Sequence, residues 1–161
     1  MPRYASKTEV SSSKSKDEIE RILARYGAGA FAYATDNESN QAAITFKLKN
    51  RYYRMMVPLP NRNSREFTHT PDRGVLRSLD SQERAYEQAV RQRWRAVALL
   101  IKAVLEAVES GIKTAEEILL SFTLLPDDRT VGDWINPQLE KVYLEGRMPP
   151  LIPYFGKEEK S

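Results

Sequence analysis

The chain has 161 residues and a mass of 18.5 kDa, the length of one domain that can bury a core unaided. Its 41% hydrophobic and 29% charged residues are a globular balance, and with no cysteine and one histidine it excludes disulfides, thiolate zinc sites and two-histidine metal motifs. No apolar run approaches the roughly 20 residues of a membrane span, and residues 1–7 lack the apolar core of a secretory signal, so a soluble intracellular protein is expected.

Residues 1–14 are polar and serine-rich and read as a flexible arm ahead of a single domain over residues 15–147. Ser15-Lys16-Asp17-Glu18 has the spacing of a capping box. Ile19, Ile22, Leu23 and Tyr26 share one helical face, and Gly27 is placed to end a helix over residues 16–26. Beyond residue 30 the period changes to two. Phe31, Tyr33 and Thr35 alternate with alanines; Ala42, Ile44, Phe46 and Leu48 alternate with polar or small residues. After a tight turn at Asn50, Tyr53, Met55 and Val57 do the same. Three antiparallel strands are predicted, with Ile44, Phe46, Leu48, Tyr53, Met55 and Val57 inward. Thr45, Lys47, Lys49, Tyr52 and Arg54 are predicted to face away. Pro58 and Pro60 stop the third strand, and residues 60–79 read as an arginine-rich connection without periodicity.

Asp80-Ser81-Gln82-Glu83 reads as a second capping box, opening a long helix over residues 81–110 that Gly111 ends. Its apolar stripe is Val90, Trp94, Val97, Ile101, Val104, Leu105 and Val108. Arg84, Arg91, Arg95 and Lys102 fall within about 20° of one line beside that stripe, a cationic ridge. Thr114-Ala115-Glu116-Glu117 caps a short helix to about residue 123, and residues 125–129 are a turn. A last helix is predicted from Pro137, with Asn136 as cap and Gly146 as stop. Residues 148–161 read as an extended, partly apolar tail. The fold class is α+β: an N-terminal helix, a three-stranded antiparallel sheet, a long helix packed on one face, and small C-terminal helices.

The net charge of +3 is unevenly spread. Residues 1–40 hold six basic and six acidic side chains, residues 41–100 twelve and five, and residues 101–161 seven and eleven. The middle third is therefore at +7 and rich in arginine, whose planar fork of donors suits phosphate. Lys47, Lys49 and Arg54 on the sheet can neutralise phosphates, and Tyr52 offers a ring for a base to stack on. Arg62, Arg65, Arg73 and Arg77 in the connection and Arg84, Arg91, Arg95 and Lys102 on the ridge extend the candidate nucleic-acid-binding set. The plainer alternative is a solvated basic surface offset by the acidic C-terminal third, within the molecule or against another subunit.

The segments Thr70-Pro71-Asp72-Arg73-Gly74, Arg91-Gln92-Arg93-Trp94-Arg95-Ala96 and residues 125–134, LPDDRTVGDW, resemble an uncharacterised family encoded by bacteriophages and prophages. That resemblance implies no activity; it implies a bacterial host cytoplasm as location. The order of three strands and a long helix is similar to the core of single-strand annealing proteins of phage recombination and to double-stranded RNA-binding domains. In annealing proteins a basic groove beside sheet and helix holds a DNA backbone, and subunits form rings or filaments. By this resemblance a homo-oligomer is expected.

No catalytic site stands out. His69, with Asp72 and Ser64, Thr68 or Thr70 nearby, is the sole candidate general base, and a loop histidine is more often a solvent or phosphate contact. Asp127, Asp128 and Asp133 suggest a magnesium site of a nuclease, yet the same residues suit a turn and a helix cap. Gly27-Ala28-Gly29 follows a helix, the wrong context for a phosphate loop, and Trp94 and Trp134 read as core anchors. The expectation is a nucleic-acid-binding protein, for single-stranded DNA in binding or annealing, with no cofactor, no metal and no membrane. The alternative is a non-enzymatic oligomeric assembly module, with a metal-dependent nuclease third.

Overall fold

The computed structural model describes residues 10–36 and 38–147. Helix α1 spans Ser12–Arg25, and its cap is Ser11, whose extended backbone lets the hydroxyl accept from Lys14 N at 3.3 Å. The box expected at Ser15 does not form. Ser15, Ile19 and Leu23 recur every four residues on one face, so Ser15 is drawn into the buried stripe. Its hydroxyl is fully buried without a hydrogen-bond partner. Residues 10–14 of the expected arm thus belong to the helix and its approach; residues 1–9 lie outside the described residues, as does the tail expected over residues 148–161.

Strands β1 (Ala28–Asp36), β2 (Gln41–Leu48) and β3 (Arg51–Pro58) form an antiparallel meander in the order β1-β2-β3. The registers Phe31↔Phe46↔Tyr53 and Tyr33↔Ile44↔Met55 put the large side chains in cross-strand rows on one face. All six predicted inward side chains, Ile44, Phe46, Leu48, Tyr53, Met55 and Val57, are buried. Lys49 is an exception among the outward ones: it sits in the β2–β3 turn at φ 54° rather than on the sheet.

The connection is not structureless. A short helix α2 (Arg65–Thr68) leads into a bridge between His69 and Leu76, closed by Thr70 N to Val75 O at 2.8 Å and Arg77 N to Thr68 O at 2.8 Å. Pro71 and Gly74 (φ +59°) make the reversal, and buried Phe67 packs edge-on to Tyr86 to anchor it.

Helix α3 (Leu79–Glu109) is capped by Ser78, whose hydroxyl accepts from Ser81 N at 3.3 Å, instead of by Asp80. Asp80 lies in the first turn, where a carboxylate favours the helix N-terminus. Trp94, Ile101 and Leu105 of the predicted stripe are buried, Val90, Val97, Val104 and Val108 flank them, and Ala98, not predicted, is buried with them. With Ile19 and Leu23 of α1 they cover the inner sheet face in one cluster. Burial of these side chains, each worth about 1.5–3 kcal/mol, is what holds sheet and helices together.

Helix α4 (Ala115–Ile118) carries the predicted Thr114/Glu117 capping box, but it gives way to a 3₁₀ turn (Leu120–Phe122) before residue 123. Thr123 then bridges Tyr53, and Leu124 N donates to Tyr52 O at 2.8 Å, lining part of the β3 edge. The turn at residues 125–129 forms as expected, with Leu125 N to Arg129 O at 2.8 Å.

The last helix, α5 (Val131–Glu145), starts earlier than expected. Thr130 and Asp133 form its capping box, and Pro137 is accommodated inside with one helical hydrogen bond forgone. Gly146 ends it in the left-handed conformation, as predicted. Trp134 is half-buried, unlike the core anchor Trp94. Among the described residues no helix is long and apolar enough to cross a membrane.

Candidate nucleic-acid interface

The outer sheet face carries Lys47, Tyr52 and Arg54 in the predicted direction. Lys47 lies directly opposite Tyr52, and its ammonium stands 5.4 Å from the ring centroid. Arg54 Nη2 binds Asp128 Oδ1 at 2.9 Å while Nη1 donates to Asp128 O at 3.1 Å. Lys49 Nζ binds Glu116 Oε1 at 3.2 Å. Acidic residues of the C-terminal third therefore clasp two of the expected sheet cations from the side. Hydrogen bonding to Arg54 holds the Asp128 carboxyl below its ordinary range. Glu116 is lowered by its own backbone hydrogen bond, then by Lys49. Such exposed pairs are weak and screened by salt. Ala30, Ala32 and Ala34 of β1 leave the rest of this face shallow and open.

The ridge on α3 is also largely engaged. Arg84 Nη2 pairs with Asp80 at 2.6 Å, and Arg95 pairs with Glu18, tying α3 to α1. Arg91 donates to Gln88 Oε1 at 2.7 and 3.1 Å, without a charge partner there. Lys102 is exposed and forms no ion pair among the described residues. In the connection, Arg62 pairs with Glu83 and lies 4.3 Å from the Tyr86 ring centroid. The expected continuous cationic track is thus interrupted: Lys49, Arg54, Arg62, Arg84 and Arg95 each hold a carboxylate.

The remaining arginines of the connection converge. Arg65, Arg73 and Arg77, with His69, Thr70 and Gly74, line one open depression of about 640 Å³. The fold-back between α2 and α3 is the cause, since the His69–Leu76 bridge returns Arg77 beside the helix that carries Arg65. Arg77 is half-buried and its Nε donates to His69 O at 3.0 Å, fixing the guanidinium stem while its outer nitrogens keep their donors. A Cβ placed on Gly74 would meet Arg65 Nη2 at 3.4 Å, so the guanidinium lies against the turn. None of the three forms an ion pair among the described residues. Glu66 borders the same depression and has an interaction of its own. The signal for this cluster was the Thr70-Pro71-Asp72-Arg73-Gly74 turn, whose Pro and Gly positions imply a chain reversal that brings flanking arginines together.

The catalytic candidates are placed otherwise. His69 Nδ1 is 2.8 Å from Thr68 Oγ1, the only side-chain partner of the ring in the described residues. Asp127 binds Arg129 at 2.6 and 2.8 Å, Asp128 binds Arg54, and Asp133 Oδ2 accepts from Thr130 N at 2.9 Å and Thr130 Oγ1 at 2.8 Å. Among the described residues no group of three or more His, Asp or Glu side chains is arranged to hold a metal ion. Comparison of the chain with family models, curated proteins and solved structures finds no match.

Proposed function

We propose that this protein binds nucleic acid through its phosphates, with single strands preferred. The carrying observation is the depression where Arg65, Arg73 and Arg77 meet, none of them paired with a carboxylate among the described residues. Guanidinium forks in that density offer charge-assisted, bidentate bonds to phosphate oxygens. Lys47 and Tyr52 on the open sheet face supply a second contact, where a base stacks on the half-exposed ring. The exposed Tyr52 ring supports the single-strand form of this reading, because stacking needs an unpaired base. Fluorescence anisotropy with single-stranded DNA, duplex DNA and RNA at low salt tests it. Binding with single strands tightest is expected; no binding to any of the three refutes it.

A second reading, a non-enzymatic assembly module, is favoured by one feature. The C-terminal half of α5 exposes Leu139, Tyr143 and Leu144, the last two at 86% and 87%. Light scattering separates the readings: a concentration-dependent oligomer without nucleic-acid affinity favours assembly.

A further inference from the structure

We propose that the depression lined by α2 and the fold-back that follows it is a receptor for a phosphomonoester, a terminal phosphate rather than an internal phosphodiester. This deepens the nucleic-acid reading and rests on it for the source of the ligand, the end of a strand. The first argument is charge. A phosphomonoester carries nearly two negative charges near pH 7 and three acceptor oxygens, whereas a diester carries one charge and two free oxygens. Arg65, Arg73 and Arg77 bring three guanidiniums and Glu66 one carboxylate to one depression of about 640 Å³, a net of two positive charges, more than a single diester balances.

The second argument is what surrounds it. A chain running through would need further free cations on both sides. The arginines next in sequence on either side are instead paired, Arg62 with Glu83 and Arg84 with Asp80. Three guanidiniums on one depression concentrate positive charge locally, which fits an end group.

The third argument is local rigidity. Thr70 N to Val75 O at 2.8 Å, Gly74 N to Thr70 O at 3.0 Å and Val75 N to Thr70 Oγ1 at 3.1 Å tie the turn that carries Arg73. The Arg77 stem is held by His69 O. Donors fixed in advance lose little freedom on binding, which is how a small anion is held well. The same chemistry is offered by a free phosphorylated small molecule, and the test separates the two sources.

The full chain is titrated with one oligonucleotide in 5′-phosphate, 3′-phosphate and hydroxyl-ended forms, and separately with phenyl phosphate. A phosphate-ended strand is expected to bind about tenfold or more tighter than the hydroxyl-ended one. Arg73→Ala, at an exposed position, is expected to abolish that difference, the phosphate-ended strand losing more affinity than the hydroxyl-ended one. Equal affinity for all ends overturns the inference but leaves the nucleic-acid reading standing. Phenyl phosphate binding that Arg73→Ala removes, with no strand bound, keeps the receptor and overturns the strand as its source. No binding of any phosphate-ended probe or of phenyl phosphate overturns the inference outright.

Discussion

Ser15 gives a test whose sign depends on where the helix starts. Its residue is fully buried and its hydroxyl has no hydrogen-bond partner, because α1 begins at Ser12 and carries Ser15 onto the inward face. A buried, unpaired hydroxyl costs about 1–3 kcal/mol, and alanine exceeds serine in helix propensity by roughly half a kcal/mol. Deleting one oxygen leaves little empty space to offset this. Ser15→Ala should therefore stabilise the protein by about 1–2 kcal/mol, a rise of about 2–8 °C in Tm for a chain of this size. Were Ser15 the cap that its sequence context suggests, the same change would cost about 0.5–2 kcal/mol. Thermal unfolding followed by circular dichroism decides, with Ser11→Ala as companion. Ser11 accepts from Lys14 N, so its loss should lower stability by about 0.5–1 kcal/mol. A lowered Tm for Ser15→Ala refutes the reasoning.

Leu105→Ala removes a buried side chain beside a small apolar void shared with Leu23, Phe46, Met55 and Leu119, and should cost about 3–5 kcal/mol in urea unfolding. Asp133 is held below its ordinary 3.8 by hydrogen bonds from the Thr130 backbone and then its hydroxyl. A lowered folded-state value means the stabilisation is present above 3.8 and lost as pH falls below it. The Tm gap between wild type and Asp133→Asn should therefore be constant from pH 7 to about 5 and close in acid. Replacing both clasp carboxylates, E116Q with D128N, frees Lys49 and Arg54 and should tighten nucleic-acid binding at low salt; unchanged affinity removes the sheet face from the interface. Tyr52→Ala should weaken single-strand binding by about 1–3 kcal/mol per stacked base and duplex binding less, and equal losses exclude stacking.

The sheet and its inward residues were legible because period-two alternation is enforced by the pleat: a slip of one residue would have exposed Ile44 and Phe46 and buried Lys47. The stripe of α3 was legible for the analogous reason at helical period. Helix starts were not, because the serines and acids at residues 11–18, 78–83 and 130–136 each offer several caps of similar worth. Packing decides among them, as burial of Ser15 and acceptance of Pro137 inside α5 show. Of the candidate site, composition showed where arginine is plentiful but not which arginines are free. Glu18 reaches Arg95 across 77 positions of sequence, and Asp128 reaches Arg54 across 74, pairings that no local pattern reveals.

The most direct test of phosphate binding at the connection is the salt dependence of single-strand affinity for wild type and the triple variant Arg65→Ala, Arg73→Ala, Arg77→Ala, with circular dichroism confirming that both are folded. Each phosphate contact on a single strand contributes about 0.7 to the slope of log affinity against log salt, so on a phosphate-ended strand loss of the contact these three arginines share should flatten it by at least about 0.7. A triple variant with the wild-type slope and affinity would contradict the assignment of these arginines as the phosphate contact.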